Sequence, residues 1–135
     1  MQQSRCPFCD RSRLALIGEN SLAYAIRDRY PVKALHSLII LKRHAADIFE
    51  ATREEREALH EMARWSRSQI MSEDPTVGGF NFGSNIGAVA GQKIFHLHLH
   101  LIPRRAGDVP PPPAQPGGST EPGRLEAADA NSAAR

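Results

Sequence analysis

Residues 96 to 102 read His-Leu-His-Leu-His-Leu-Ile. Alternation of this kind has the period of a β-strand, in which successive side chains point to opposite faces. A strand here puts His96, His98 and His100 on one face and Leu97, Leu99 and Leu101 on the other, so that one face is chemistry and the other is core. The plain alternative is a half-buried strand whose polar side is incidentally rich in imidazole. It is disfavoured because three of the chain's six histidines fall within five residues.

At 135 residues the chain fits one domain with a core large enough to fold alone. A net charge of +2, with Lys and Arg scattered among acidic residues, gives little support for a nucleic-acid partner. The start, Met-Gln-Gln-Ser-Arg-Cys, lacks the apolar segment of a signal peptide. Nor does any apolar stretch reach the roughly 20 residues needed to span a bilayer. The expectation is a soluble, cytoplasmic protein with no membrane or nucleic-acid partner. From about Arg105 the composition changes, with prolines at 110 to 113 and then a Gly-rich and Ala-rich polar end. Such a segment cannot bury enough apolar surface to offset its ordering entropy. Residues 1–108 are therefore read as the folded domain and 109–135 as a disordered tail. A proline-recognition role for that tail is the less favoured alternative.

Apolar runs at 21–28 and 35–41, separated by Pro31, suit two strands of a hairpin-like pair. Thr52-Arg53-Glu54-Glu55 is a capping-box pattern. Leu59, Met62, Ala63, Ser66 and Ile70 then recur at helical spacing, predicting one amphipathic helix to about Glu73, before Pro75. Trp65 and His60 flank that stripe and read as packing or surface residues. Gly78 to Gly83 is a short strand leading into the glycine-rich loop 84–92, whose backbone amides can approach an anion beside the histidine strand.

The two cysteines form Cys6-Pro7-Phe8-Cys9. A redox dithiol, a disulfide and half of a tetrahedral zinc site all compete. The redox reading wants a preceding strand and a helix opening on the motif, and only five residues precede it. The zinc reading needs two further ligands, which must be histidines. Three aligned imidazoles can hold a catalytic zinc, or supply a nucleophile and charge-stabilising neighbours for phosphoryl chemistry. Side chains two apart on a strand lie about 6.5–7 Å apart at the backbone, too far to converge on one metal without strong twist. The adjacent glycine loop and Gln92 favour phosphate.

With these motifs on the page, the chain resembles the histidine triad nucleotide-binding proteins. The likeness runs from Cys6 to Arg104. It includes C-x-x-C, Ala25 to Pro31, His36-Ser37-Leu38-Ile39-Ile40, Lys42-Arg43-His44, Asn81-Phe82-Gly83, Ala90-Gly91-Gln92 and the triad running into Ile102-Pro103-Arg104. The resemblance implies an α+β fold with a mainly antiparallel five-stranded sheet, one long helix and a short helical segment, assembled as a homodimer. It also implies a nucleotide-binding enzyme in which His98 attacks the α-phosphorus and forms a nucleotidyl-histidine. An imidazole used this way must present one nitrogen as a free base while the other donates to a fixed acceptor, in the family a backbone carbonyl near the first histidine.

By the same resemblance, His100 and His36 contact phosphate oxygens, and Gln92 positions the phosphate and leaving group. Asn81 lines the site, Asp28 holds ribose hydroxyls, and Gly91 and Lys93 belong to the substrate-binding loop. Zinc-containing relatives place Cys6, Cys9, His44 and His96 on a structural ion, a closed Cys₂His₂ set with no position for water and no catalytic cofactor role. The implied activity is hydrolysis of dinucleoside polyphosphates or nucleoside phosphoramidates. Alternatives are a phosphorylase or nucleotidyltransferase using the same intermediate, a nucleotide-binding protein of low turnover, and a zinc hydrolase using the triad as ligands. The chain departs from the pattern at Ala34-Leu35, where Pro-Gly is common before His36. It departs again at Leu41, where Pro is common, and at Lys93, where some relatives carry Ser or Thr.

Overall fold

The structure, a computed structural model, describes residues 6–110; the tail expected from composition lies, from residue 111 on, outside the described residues. Five strands form one antiparallel sheet: β1 (Leu16–Glu19), β2 (Ala23–Arg27), β3 (Ser37–Leu41), β4 (Val77–Gly83) and β5 (His98–Arg105), in the order β1-β2-β3-β5-β4. One helix, α1 (Arg53–Glu73), covers one face, and single 3-10 turns occur at Arg11–Arg13, Ile48–Glu50 and Ala88–Ala90. This is the α+β class read from the sequence, although β1 was not among the strands placed by pattern. Among the described residues no helix is long and apolar enough to cross a membrane.

The runs at 21–28 and 35–41 become β2 and β3, paired from Ala23↔Leu41 to Arg27↔Ser37. Both strands are shorter than expected because local turns claim their ends. Asn20 Oδ1 accepts from the Leu22 and Ala23 amides at 3.0 and 2.8 Å. Leu35 takes a left-handed φ of 72°, which breaks the extended run before Ser37. That is the position where the resemblance expects glycine, and leucine pays about 1 kcal/mol or more to hold it.

The alternation in these strands sorts two cores. Ala23, Ala25, Ile39, Leu41 and Leu97 pack with Leu59, Met62 and Ala63 of α1. Tyr24, Ile26, Leu38 and Ile40 face the other way and pack with Phe8. Small residues on the helix side let α1 sit close: a Cβ added to Gly18 would lie 2.6 Å from Trp65 Cζ3. The expected capping box is present, with Glu55 N–H donating to Thr52 Oγ1 at 3.1 Å and Thr52 N–H to Glu55 Oε1 at 2.9 Å. The expected stripe is the buried face of α1, and His60 is exposed.

One boundary is corrected. The strand expected from residue 96 starts at His98. Leu41 N–H at the end of β3 still donates to the Leu97 carbonyl at 3.1 Å, but Leu97 N–H turns to the Ala45 carbonyl at 2.7 Å, beyond the end of β3, so the regular ladder stops at His98. The facing alternation nevertheless continues through His96, since Leu97 joins the helix-side core.

Candidate active site and metal cluster

On the face of the sheet away from α1, five imidazoles form a row. Ring centroids lie 5.0 Å apart for His44 and His96, 5.3 Å for His98 and His100, and 5.2 Å for His36 and His100. Phe8 stands edge-on between the two groups, 5.9 Å from His96 and 5.3 Å from His98. The triad therefore serves two places. His96 turns to the cysteines, whereas His98 and His100 border a cavity.

Cys6, Cys9, His44 and His96 bring one donor atom each within 4.8 Å of one another. Cys6 Sγ lies 3.2 Å from His96 Nδ1, Cys9 Sγ 3.2 Å from His44 Nδ1 and 3.6 Å from His96 Nδ1, and the two Nδ1 atoms are 3.1 Å apart. Tetrahedral ligation with metal–sulfur about 2.3 Å and metal–nitrogen about 2.0–2.1 Å needs donor–donor edges of roughly 3.3–3.8 Å. The observed edges of 3.1, 3.2 and 3.6 Å are a few tenths short of that at most, and the Cys₂His₂ donor set fits a closed metal site. His96 Nε2 donates to the Leu41 carbonyl at 2.6 Å, which leaves the Nδ1 lone pair toward the sulfurs. Burial pushes the Cys6 thiol up, opposite to the depression that activates a redox cysteine. Arg43 fixes the neighbouring His44 loop by forking onto Glu55 at 2.8 and 2.9 Å.

The cavity beside His98 and His100 has a volume of about 550 Å³. Its apolar wall comes from Phe8, Leu14, Ile26, Leu38 and Ile94, and its polar side includes Asp28, Lys93, His98 and His100. His98 Nδ1 donates to the His96 carbonyl at 2.6 Å. A carbonyl only accepts, so Nδ1 carries the proton and Nε2 is left with its lone pair. The Ser84 hydroxyl donates to the His98 carbonyl at 3.0 Å and pins the strand beneath it. His36 is 2% exposed, and its Nε2 lies 3.0 Å from His100 Nδ1 and 3.4 Å from Asp28 Oδ2. Burial holds both imidazoles below their usual range. The Asp28 charge opposes this at His36 and, more weakly, at His100, where the neighbouring His98 and His36 add to the depression.

Asp28, His36, Gly91, Gln92, Lys93, His98 and His100 all line this cavity. Asn81 does not. It borders an adjoining space of about 390 Å³ that shares His36 and His100, and its Oδ1 accepts from Arg104 Nε at 2.6 Å. Asn85 lines both spaces and is the loop asparagine that sequence reasoning missed. Gln92 is buried with its amide engaged: Oε1 accepts from Gly87 N–H at 2.8 Å, and Nε2 donates to the Ala46 and Ile94 carbonyls at 2.9 and 3.1 Å. It closes the glycine loop, in which Gly87 and Gly91 take φ of 91° and 95°, a region that favours glycine. The apolar wall was also missed. A strand buried on both faces reads as a continuous apolar run, and only the small side chains at 23 and 25 hint which face meets the helix.

The HIT domain family model matches residues 12–107. An uncharacterized HIT-like protein of Mycoplasma genitalium is 39% identical over 106 residues, covering 75% of this chain and 74% of its own. An adenylylsulfatase of Arabidopsis thaliana is 33% identical over 110 residues, which are 78% of this chain and 55% of that longer protein. Among solved structures, a HIT family protein from Bacillus anthracis superposes with a TM-score of 0.74 at 28% identity, over 98% of this chain and 94% of the other. A zinc-bound histidine triad family protein from Mycobacterium smegmatis does so with a TM-score of 0.61 at 31% identity, over 69% and 67%. With most of the sheet, the helix and the histidine strand inside the matched span, the chain belongs to the HIT domain family.

Proposed function

We propose that the protein hydrolyses nucleoside phosphate bonds through a nucleotidyl-His98 intermediate, with dinucleoside polyphosphates or nucleoside phosphoramidates as substrates. The observation that carries this reading is the 2.6 Å bond from His98 Nδ1 to the His96 carbonyl, because it holds the ring proton on Nδ1 and leaves Nε2 of a cavity-lining imidazole as the nucleophilic nitrogen. The nucleoside lies along the apolar wall, with Asp28 accepting from ribose hydroxyls. Nε2 attacks the α-phosphorus, the bond to the leaving group breaks, and the departing group takes a proton from solvent. The charge that develops on the ring is met at Nδ1–H by the His96 carbonyl. Water then attacks phosphorus and releases a proton to solvent, the P–N bond breaks with its electron pair returning to Nε2, and His98 regains its starting form. His100 and Lys93 face the phosphates, and Gln92 holds the loop around them. The adenylylsulfatase relative supports an adenylyl substrate.

Cys6, Cys9, His44 and His96 would hold a zinc ion, whose contribution when bound is to tie the amino-terminal segment to the histidine strand. The zinc-bound relative supports this choice of metal. The test is a rapid alkaline quench during turnover of an adenosine phosphoramidate labelled in the nucleotide. Alkali-stable label is expected on the wild type and not on His98→Ala. Equal product release from both proteins, with no bound label, overturns the assignment.

A further inference from the structure

Asp28, His36 and His100 place a carboxylate oxygen and two ring nitrogens within 4.8 Å of one another, a set that can be read either as a second metal site or as a hydrogen-bond relay. A backbone group decides between them. Val32 N–H donates to His36 Nδ1 at 3.0 Å. The amide can only donate, so His36 Nδ1 must carry a lone pair, and in the neutral ring the proton sits on Nε2. A metal at this cluster would need the Nε2 lone pair as well, which neutral imidazole does not have once Nδ1 is accepting. The proton on His36 Nε2 in turn faces His100 Nδ1 at 3.0 Å. Were that proton on His100 Nδ1 instead, His36 would have to be protonated at Nδ1, head-on against the Val32 amide.

We propose that His36 is a positioning residue, locked by the Val32 amide, that holds His100 as the neutral Nε2–H tautomer and so makes it a standing hydrogen-bond donor on the cavity wall. His98 is locked in the opposite tautomer by the His96 carbonyl. Two imidazoles one alternation apart on β5 are thereby set with their ring protons on opposite nitrogens. Backbone groups make the choice: one amide and one carbonyl. The turn that presents the Val32 amide is itself braced, with His36 N–H donating to the Lys33 carbonyl at 3.0 Å and Asp28 N–H to the His36 carbonyl at 2.8 Å. The left-handed Leu35 lies inside it. For His100, donation to a phosphate oxygen or to the leaving group rests on the nucleotidyl reading above, but the tautomers do not.

The test is long-range proton–nitrogen correlation of the imidazoles in the zinc-loaded full chain, labelled with ¹⁵N at histidine and held at pH 8, with signals assigned by single substitutions. Pyridine-like Nδ1 and pyrrole-like Nε2 are expected for both His36 and His100, and the reverse for His98. In His36→Gln, whose amide can still donate, the His100 pattern persists; in His36→Leu it averages between tautomers. Val32→Pro removes the amide and averages both rings. A His100 proton on Nδ1, averaged tautomers in the wild type, or loss of pyrrole-like signal at His36 Nε2 on adding one equivalent of magnesium overturns the relay. None of these readings requires turnover, so a wrong tautomer leaves the nucleotidyl chemistry standing, and absence of labelled His98 leaves the relay standing.

Discussion

Replacing Glu55 by Gln tests whether the ion pair that ties the His44 loop to α1 stabilises the fold. Glu55 is 5% exposed and accepts from both Arg43 Nε and an Arg43 terminal nitrogen. The Arg43 fork, and after it the Thr52 contacts, outweigh burial and bring its carboxyl from 4.5 down to about 2. At about 1.36 kcal/mol per pH unit, a depression of that size corresponds to at most roughly 3 kcal/mol. Arg43 is half exposed and solvent screens its charge, which reduces the expectation to about 2 kcal/mol. Gln keeps the Oε1 acceptor for the Thr52 amide but sets an amide NH2 against Arg43 Nε–H where Oε2 stood, so the substitution removes the charge and one arm of the fork.

The sign is fixed by the direction of the shift. The folded value lies below the unfolded one, so the contribution is full above about pH 4.5 and is lost as the pH falls through about 2. Urea unfolding of wild type and Glu55→Gln, side by side at pH 7 and pH 3.5, measures it. Loss at low pH of any metal held by Cys6, Cys9, His44 and His96 is common to both proteins and cancels in the difference. A gap of about 2 kcal/mol at pH 7 should narrow to roughly two-fifths at pH 3.5. No gap at pH 7, or one of equal size at both values, refutes the reasoning.

Gly18→Val drives its side chain into the Trp65 ring and should cost about 1–3 kcal/mol, read as a lower urea midpoint together with a shift in Trp65 fluorescence. Phe8→Ala opens the cavity wall beside His98 and removes a buried ring that also packs on Tyr24 and Ile40; about 3 kcal/mol of stability and a raised KM are expected from unfolding and steady-state assays. A strong chelator should lower the thermal midpoint of the wild type by ten degrees or so and leave Cys9→Ser nearly unmoved, as two-to-three kcal/mol of metal-linked stability requires in a domain of about 100 residues.

The leucine and histidine alternation at 96–101, the capping box at Thr52 and the stripe from Leu59 to Ile70 were legible because each is a local period that one element imposes on its own residues. The same periodicity separated chemistry from core on β5 without any knowledge of neighbours. The residues of the Cys–His cluster and most of those lining the cavity's polar side could be named from the resemblance, because the spacings of the HIT pattern are carried in one dimension. Strand β1 was missed because Leu16 to Glu19 is short and broken by Gly18, a residue whose reason is the Trp65 ring 47 positions away.

Sequence by itself determined that His96, His98 and His100 share one side of an extended segment, that one capped amphipathic helix precedes it, and that two cysteines lie near the start of the chain. Tertiary structure alone decided that Phe8 stands between His96 and His98, and that Asn85 rather than Asn81 reaches the main cavity. It alone decided that His98 and His100 hold their protons on opposite nitrogens. An imidazole's tautomer is set by whichever donor or acceptor folding brings against it, and the Val32 amide and the His96 carbonyl are backbone groups that every sequence possesses.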